Sequence, residues 1–343
     1  MAQVDKIDVK GDSRIERRQT LLNGTTYGYL ISTPEGDHYK GTIFLIHGFP
    51  DLSMGWRYQI PYLRSLGYRV VAPDMMGYGR TDAPQWTPEN EQKYSYRQTA
   101  ADMKELAKEL GSPHIIVAGH DWGGAIAQRM ALFEPDLVSH VILVCTPYMP
   151  QRDQFIDTET IVKHPAGKSF GYQLQLKSGE VEERVKSREE IGQALNALYG
   201  GWQQHADGGE YSFSVEEGIL FDRFMKAEKS PLLSEEELNY YVDEYSRHGI
   251  HGPLNWYRNR RVNFENEKSI LDRRIEVPVL FIGATKDLVL NPKTWVNNEK
   301  YISKLTTRTV ESGHWVLWHK PDEVNKLIGE WIAGVVEAGQ VKL

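Results

Sequence analysis

The feature that most constrains this 343-residue chain is a set of short, unbroken apolar runs, each stopping at a small or polar residue. Thr42–Ile46 runs into His47-Gly48, Tyr68–Ala72 into Pro73-Asp74, and His114–Ala118 into Gly119; His140–Cys145 and Pro278–Ile282 follow. A strand with one wet face alternates apolar and polar residues, so runs without alternation suit strands buried on both faces. Helical stretches lie between them, and this order predicts an α/β fold with a mostly parallel, doubly wound sheet. Upstream, Arg14–Thr33 alternates about Asn23-Gly24 and predicts an antiparallel hairpin at the sheet edge.

Between Cys145 and Val277 the strand signal vanishes. Ser187-Arg188-Glu189-Glu190 and Ser234-Glu235-Glu236-Glu237 read as Ser-x-x-Glu helix starts, and Gly200-Gly201 and Gly208-Gly209 divide the region into pieces. A helical insertion placed after a strand end would cover the sheet as a lid. The expected division is a core over 1–146, a helical cap over 147–262, and the rest of the core over 263–343.

In doubly wound sheets the functional groups gather beyond the carboxyl ends of the strands. Gly119-His120-Asp121-Trp122-Gly123 sits at such an end and opens the helical run Gly124–Phe133. In this strand–turn–helix setting a sharp elbow lifts one side chain above the sheet, and the flanking glycines remove Cβ clashes. The apex residue is Asp121, where the commoner motif has serine. A carboxylate nucleophile attacking saturated carbon forms an alkyl ester, which points toward epoxides or alkyl halides.

An ester on Asp121 must be hydrolysed, which calls for a general base and an acid to orient it. Ser312-Gly313-His314-Trp315 follows the strand-like run Thr306–Val310, and Asp287 lies just past Ile282. The order Asp121, Asp287, His314 is the nucleophile–acid–histidine order of α/β-hydrolases. The other histidines carry less. His120 should point away from Asp121 because a strand alternates faces. His47 should brace the Gly48-Phe49-Pro50 turn. His248 and His251 lack the neighbours a metal site needs, so no metal is expected.

A formal charge of -7 argues against nucleic acid or an anionic membrane as partner. The short cluster Arg258-Asn259-Arg260-Arg261 is followed by acids and reads as solvated or structural. The single Cys145 excludes an intramolecular disulfide and should be a small buried hydrophobe. Met1–Lys6 lacks the apolar core of a signal peptide, and no apolar run is long enough to span a bilayer. A soluble cytoplasmic protein is the expectation. The terminal Val341-Lys342-Leu343 matches a peroxisomal address only loosely.

The segments His47–Asp51, Gly77-Tyr78-Gly79-Arg80-Thr81-Asp82, Gly119–Gly124, Gly252–Asn259 and Gly313-His314-Trp315 together resemble an epoxide hydrolase of the α/β-hydrolase fold. The resemblance runs from the initial hairpin to the final helix and includes the lid. It implies hydrolysis of an epoxide to a vicinal diol with no cofactor, the only partners being a small epoxide and water. It also implies two lid tyrosines that grip and protonate the epoxide oxygen. One matches Tyr172 in Phe170-Gly171-Tyr172-Gln173-Leu174, with Tyr148 or another lid tyrosine as the alternative; the other matches Tyr257 in Asn255-Trp256-Tyr257-Arg258. The backbone N–H groups of Phe49 and Trp122 are implied as the oxyanion hole. Phe49, Trp122, Leu288 and Trp315 are expected apolar walls. Trp202–Ser214 carries no motif that would narrow the substrate, and oligomeric state is open.

A haloalkane dehalogenase resembles the chain through the same elbow, but it needs halide donors and has no use for paired lid tyrosines. A non-catalytic binding protein could keep the fold, since fold does not dictate function, yet every member of the expected set is present. An ordinary esterase is disfavoured because Asp121 would trap itself on an acyl carbon.

Overall fold

The computed structural model describes residues 4–36, 38–200, 212–296 and 298–337. In chain order the strands are β1 (Glu16–Leu22), β2 (Thr25–Ser32), β3 (Thr42–Ile46), β4 (Arg69–Pro73), β5 (Ile115–His120) and β6 (Val138–Val144). They continue with β7 (Phe213–Ser214), β8 (Gly218–Ile219), β9 (Ile275–Ala284) and β10 (Ile302–Val310). Eight of them form one sheet in the order β1-β2-β4-β3-β5-β6-β9-β10. The β1–β2 and β2–β4 pairs are antiparallel and the others parallel, as the apolar runs predicted. Every residue of β3, β4 and β5 is buried, which is why those segments show no alternation.

The edge hairpin turns at Asn23 (φ 47°) and Gly24 (φ 79°), the positive pair that matches the twist of its strands. Flanking helices follow from capping and periodicity. Tyr96–Glu109 starts at Ser95, whose side chain accepts from the Gln98 N–H, and it buries Tyr96, Ala100, Met103 and Ala107 along one face.

The chain between β6 and β9 is mainly helical: among its described helices are Tyr172–Ser178, Arg188–Gly200, Glu235–Tyr245 and His251–Arg258. Ser234 and Glu237 form a full capping box, and the Ser187 and Glu190 side chains exchange bonds with each other's backbone N–H. One difference from the sequence reading is the small antiparallel pair β7–β8. Two residues per strand are too few to show a period. The breaks at Gly201 and at Gly208-Gly209, the final Val341–Leu343 and most of Trp202–Ser214 lie outside the described residues. The boundary expected at 262 falls inside the helix Arg260–Glu267, which packs on the core where the Asn263 side chain accepts from the Tyr96 N–H at 2.9 Å. Arg258 pairs with Glu182 at 2.6 Å as an internal contact, whereas Arg261 stays exposed. No helix among the described residues is long and apolar enough to cross a membrane.

Candidate active site

Asp121 joins β5 to the helix Trp122–Phe133 with φ 54° and ψ −125°, a conformation that strains any L residue. The glycines around it leave no alternative. A Cβ on Gly119 would lie 2.1 Å from the Gly123 carbonyl oxygen, and one on Gly123 would lie 2.0 Å from the Ile46 oxygen. Thr146 ties the turn down by donating from its hydroxyl to the Asp121 carbonyl at 2.7 Å. The result is a carboxylate raised above the sheet and held among backbone donors. Phe49 N–H donates to Asp121 Oδ1 at 2.9 Å, and the neighbouring Trp122 N–H also helps hold the pKa of this carboxylate down.

Beyond β10, His314 faces Asp121 with Nε2 3.6 Å from Oδ2. Its Nδ1 is fixed by Asp287 Oδ2 at 2.8 Å. Asp287 is buried, and its other oxygen accepts from the Val289 and Leu290 N–H groups at 2.8 and 2.9 Å. Burial pushes the Asp287 pKa upward, but the His314 charge and hydrogen bond, with the two N–H donors, bring it below the ordinary value. Burial alone would discharge His314; its two carboxylate neighbours outweigh that and lift its pKa to about 9. Asp121 is pushed upward by burial, against the pull of His314 and the two N–H donors.

Asp121 and His314 share a cavity with Tyr172 and Tyr257, whose rings stand 6.0 Å apart at 77°. The space inside is tight, about 50 Å³, and its lining is mostly apolar. Burial raises both phenols above their ordinary pKa, so they stay protonated donors at neutral pH. Phe49 and Trp315 form walls, and Leu288 stands half-exposed where the cavity meets solvent. Trp122 does not line it; its ring packs edge-on behind Tyr257 at 5.2 Å. Pro50, which lies in the His47–Asp51 segment, also lines it, as do Leu198, Phe213, Val215 and Val289, which no motif marked. Tyr148 stacks on Tyr301 and donates to Gln151 instead of facing the cavity.

Three other histidines serve the scaffold. His47 donates from Nδ1 to the Gly48 carbonyl and accepts the Met75 N–H at Nε2, which braces the turn. His120 Nε2 donates to the His314 carbonyl at 2.9 Å, and His251 donates to the Ala83 carbonyl. Cys145 is fully buried just past β6. His120, Cys145 and His314 bring metal-capable atoms within 4.8 Å of one another. Both Cys145 and His120 are directed at the His314 carbonyl, and His314 Nδ1 is engaged by Asp287.

Residues 41–188 match the model of a family described as the alpha/beta hydrolase fold. The chain is 39% identical to the epoxide hydrolase srdG of Neurospora crassa over 94% of this chain and 96% of that protein. It is 35% identical to the bifunctional epoxide hydrolase 2 of Rattus norvegicus over 84% of this chain, and the match spans 51% of that longer protein. Among solved structures, epoxide hydrolase A from Mycobacterium thermoresistibile superposes with a TM-score of 0.78 at 28% identity, covering 93% of this chain and 98% of that one.

Proposed function

This chain belongs to the epoxide hydrolases of the α/β-hydrolase fold, and from that premise we propose that it opens small epoxides to vicinal diols through a covalent ester on Asp121. The observation that carries the reading is the pair of buried phenols, Tyr172 and Tyr257, in one cavity with a carboxylate at an elbow apex and a histidine beside it. A haloalkane substrate would need donors for halide. Asn255, one of the residue types that could serve, instead bonds Pro84 and Arg258.

In the first step Asp121 Oδ2 attacks one ring carbon from the side opposite the departing oxygen. The C–O bond breaks as the new ester bond forms. Negative charge develops on that oxygen, where a phenol first donates a hydrogen bond and then its proton. Two phenols do this without adding a further cation beside His314.

In the second step His314 Nε2 takes a proton from water, and the hydroxide adds to the carboxyl carbon of Asp121. Formation of the ester has removed the Asp121 charge, one of the groups that raise the His314 pKa, so the imidazole becomes a better-populated neutral base when it is needed. The tetrahedral oxyanion is held by the Phe49 and Trp122 N–H groups. Collapse breaks the ester bond, the departing diol oxygen takes the proton held on His314, and the Asp121 carboxyl group gives up its proton to restore the phenol, so Asp121 regains its charge. The insertion 147–262 acts as the cap that supplies both phenols. Epoxide and water are the only reactants, and the cycle uses no cofactor and no metal.

A single turnover in ¹⁸O-water with excess enzyme tests this directly. The peptide containing Asp121 should gain the label while the first-formed diol carries none from solvent. Label in the diol alone would mean that water attacks the epoxide directly and would remove the ester from the mechanism.

A further inference from the structure

The Pro50 carbonyl, one residue past the oxyanion donor Phe49, accepts two phenol hydrogen bonds from the insertion. Tyr199 donates to it at 2.8 Å, and Tyr245 donates to the same oxygen. Both tyrosines are buried, and neither lines the cavity around Asp121. A third phenol from the insertion, Tyr241, donates to Asp51 Oδ1 at 2.6 Å. Three hydroxyls from two helices thus converge on two consecutive residues of the loop that aims Phe49 N–H at Asp121.

The same phenols are wedged against the rest of the machinery. Tyr199 meets Trp315, the residue after His314, at 4.8 Å and 77°. Tyr245 packs edge-on against Tyr78 at 6.2 Å, and Tyr78 packs against His47 at 4.7 Å. The loop and the histidine segment are therefore held from above by one aromatic layer.

We propose that Tyr199 and Tyr245 are positioning residues that hold the Phe49 N–H in the oxyanion hole, so that seating of the cap sets the rate of ester hydrolysis. The proposal rests on the ester mechanism given above. A backbone donor is effective only if it is fixed before charge develops, because reorienting it during the reaction costs part of what it contributes. The core supplies part of that fixing, through His47 and through the Asp51 N–H that donates to the Gly48 carbonyl at 3.0 Å, but the Pro50 carbonyl itself is anchored to the insertion. The chemistry divides cleanly. Epoxide opening depends on the Tyr172 and Tyr257 hydroxyls, whereas collapse of the ester depends on the oxyanion donors.

The test uses the full chain with Tyr199→Phe, Tyr245→Phe and the double substitution, and follows alkylation and ester hydrolysis separately by stopped flow and by mass of the Asp121 peptide. Each single variant keeps one phenol on the Pro50 carbonyl, which protects folding and keeps the proposal testable if the double variant misfolds. Hydrolysis should fall about tenfold in the singles and about a hundredfold in the double, approaching the loss of one oxyanion donor. Alkylation should change less than about threefold, so the esterified fraction rises at steady state. General loosening of the cap would instead displace Tyr172 and Tyr257, raise KM and slow alkylation. Alkylation falling as far as hydrolysis, or hydrolysis left unchanged, would overturn the proposal. An absence of ester in the unsubstituted protein would overturn the ester mechanism itself, and this inference with it.

Discussion

His314 Nε2 and Asp121 Oδ2 lie 3.6 Å apart, longer than a hydrogen bond, while the opposite nitrogen of the ring is fixed 2.8 Å from Asp287. The imidazole is thus oriented by the acid behind it and not committed to the carboxylate in front. In the proposed ester mechanism this lets nucleophile and base act in turn, one on the epoxide and the other on water.

Removing the base should separate these two acts. His314→Gln keeps roughly the same volume and loses the proton acceptor, so one round of alkylation should proceed and then stall. The expected result is a persistent mass increment equal to the substrate on the Asp121 peptide, with turnover reduced at least about 10³-fold. Asp121→Ala should show neither increment nor turnover. Sustained diol production by either variant would displace these residues from their roles.

The His314 pKa of about 9 also makes a stability prediction. The folded value lies above the ordinary 6.5, so this group stabilises the fold fully below about pH 6.5, and that contribution is lost as pH rises through about 9. It is on the order of 3 kcal/mol, since each pKa unit corresponds to about 1.4 kcal/mol. Melting curves between pH 6 and 10 should show the unsubstituted protein losing its advantage over His314→Gln as the solution becomes alkaline. An advantage that grew with pH would mean His314 is not held as a cation between the two carboxylates.

Under the proposed mechanism the Tyr172 and Tyr257 phenols should be partly redundant. Tyr257→Phe or Tyr172→Phe should slow alkylation by about 10- to 100-fold while leaving ester hydrolysis nearly intact, and the double variant should lose alkylation almost entirely. The measurement is single-turnover formation of the ester at saturating epoxide. If neither single change altered that rate, the phenols would be walls of the cavity and not donors.

The sheet was legible because burial on both faces leaves unbroken apolar runs, as in β3, β4 and β5, and the edge hairpin because Asn23-Gly24 demands positive φ. Asp121 was legible because Gly119 and Gly123 are forced by backbone contacts near 2 Å, so the elbow leaves a local pattern. Asp287 and His314 stood at strand ends in the expected order, and the structure brings them together with Asp121. Leu198, Phe213 and Val215 were not legible: they reach the cavity only through the packing of the insertion, and an apolar residue there looks like any other core residue. Tyr199, Tyr241 and Tyr245 were hidden for the same reason, because a phenol aimed at the Pro50 carbonyl or at Asp51 leaves no spacing signature. Trp122 shows the converse error. Its place beside the nucleophile suggested a wall, but entering a helix turned its ring behind Tyr257.

The insertion is also anchored by charge, and this can be tested apart from catalysis. Arg57, fully buried in the core, pairs with Glu237 of the helix Glu235–Tyr245 at 2.7 Å, and Lys6 reaches the same carboxylate at 2.8 Å. The Arg57 guanidinium lies 4.5 Å from the Trp318 ring. Removing one partner of a buried pair strands the other without solvent, which costs more than the pair itself contributes. Glu237→Ala should therefore destabilise the protein by about 3–5 kcal/mol in denaturant titrations, whereas Arg57→Met with Glu237→Leu should recover much of that loss. A single substitution costing under about 1 kcal/mol would show that water or another group already solvates Arg57, and the anchoring of the insertion would then rest on its phenols and apolar contacts.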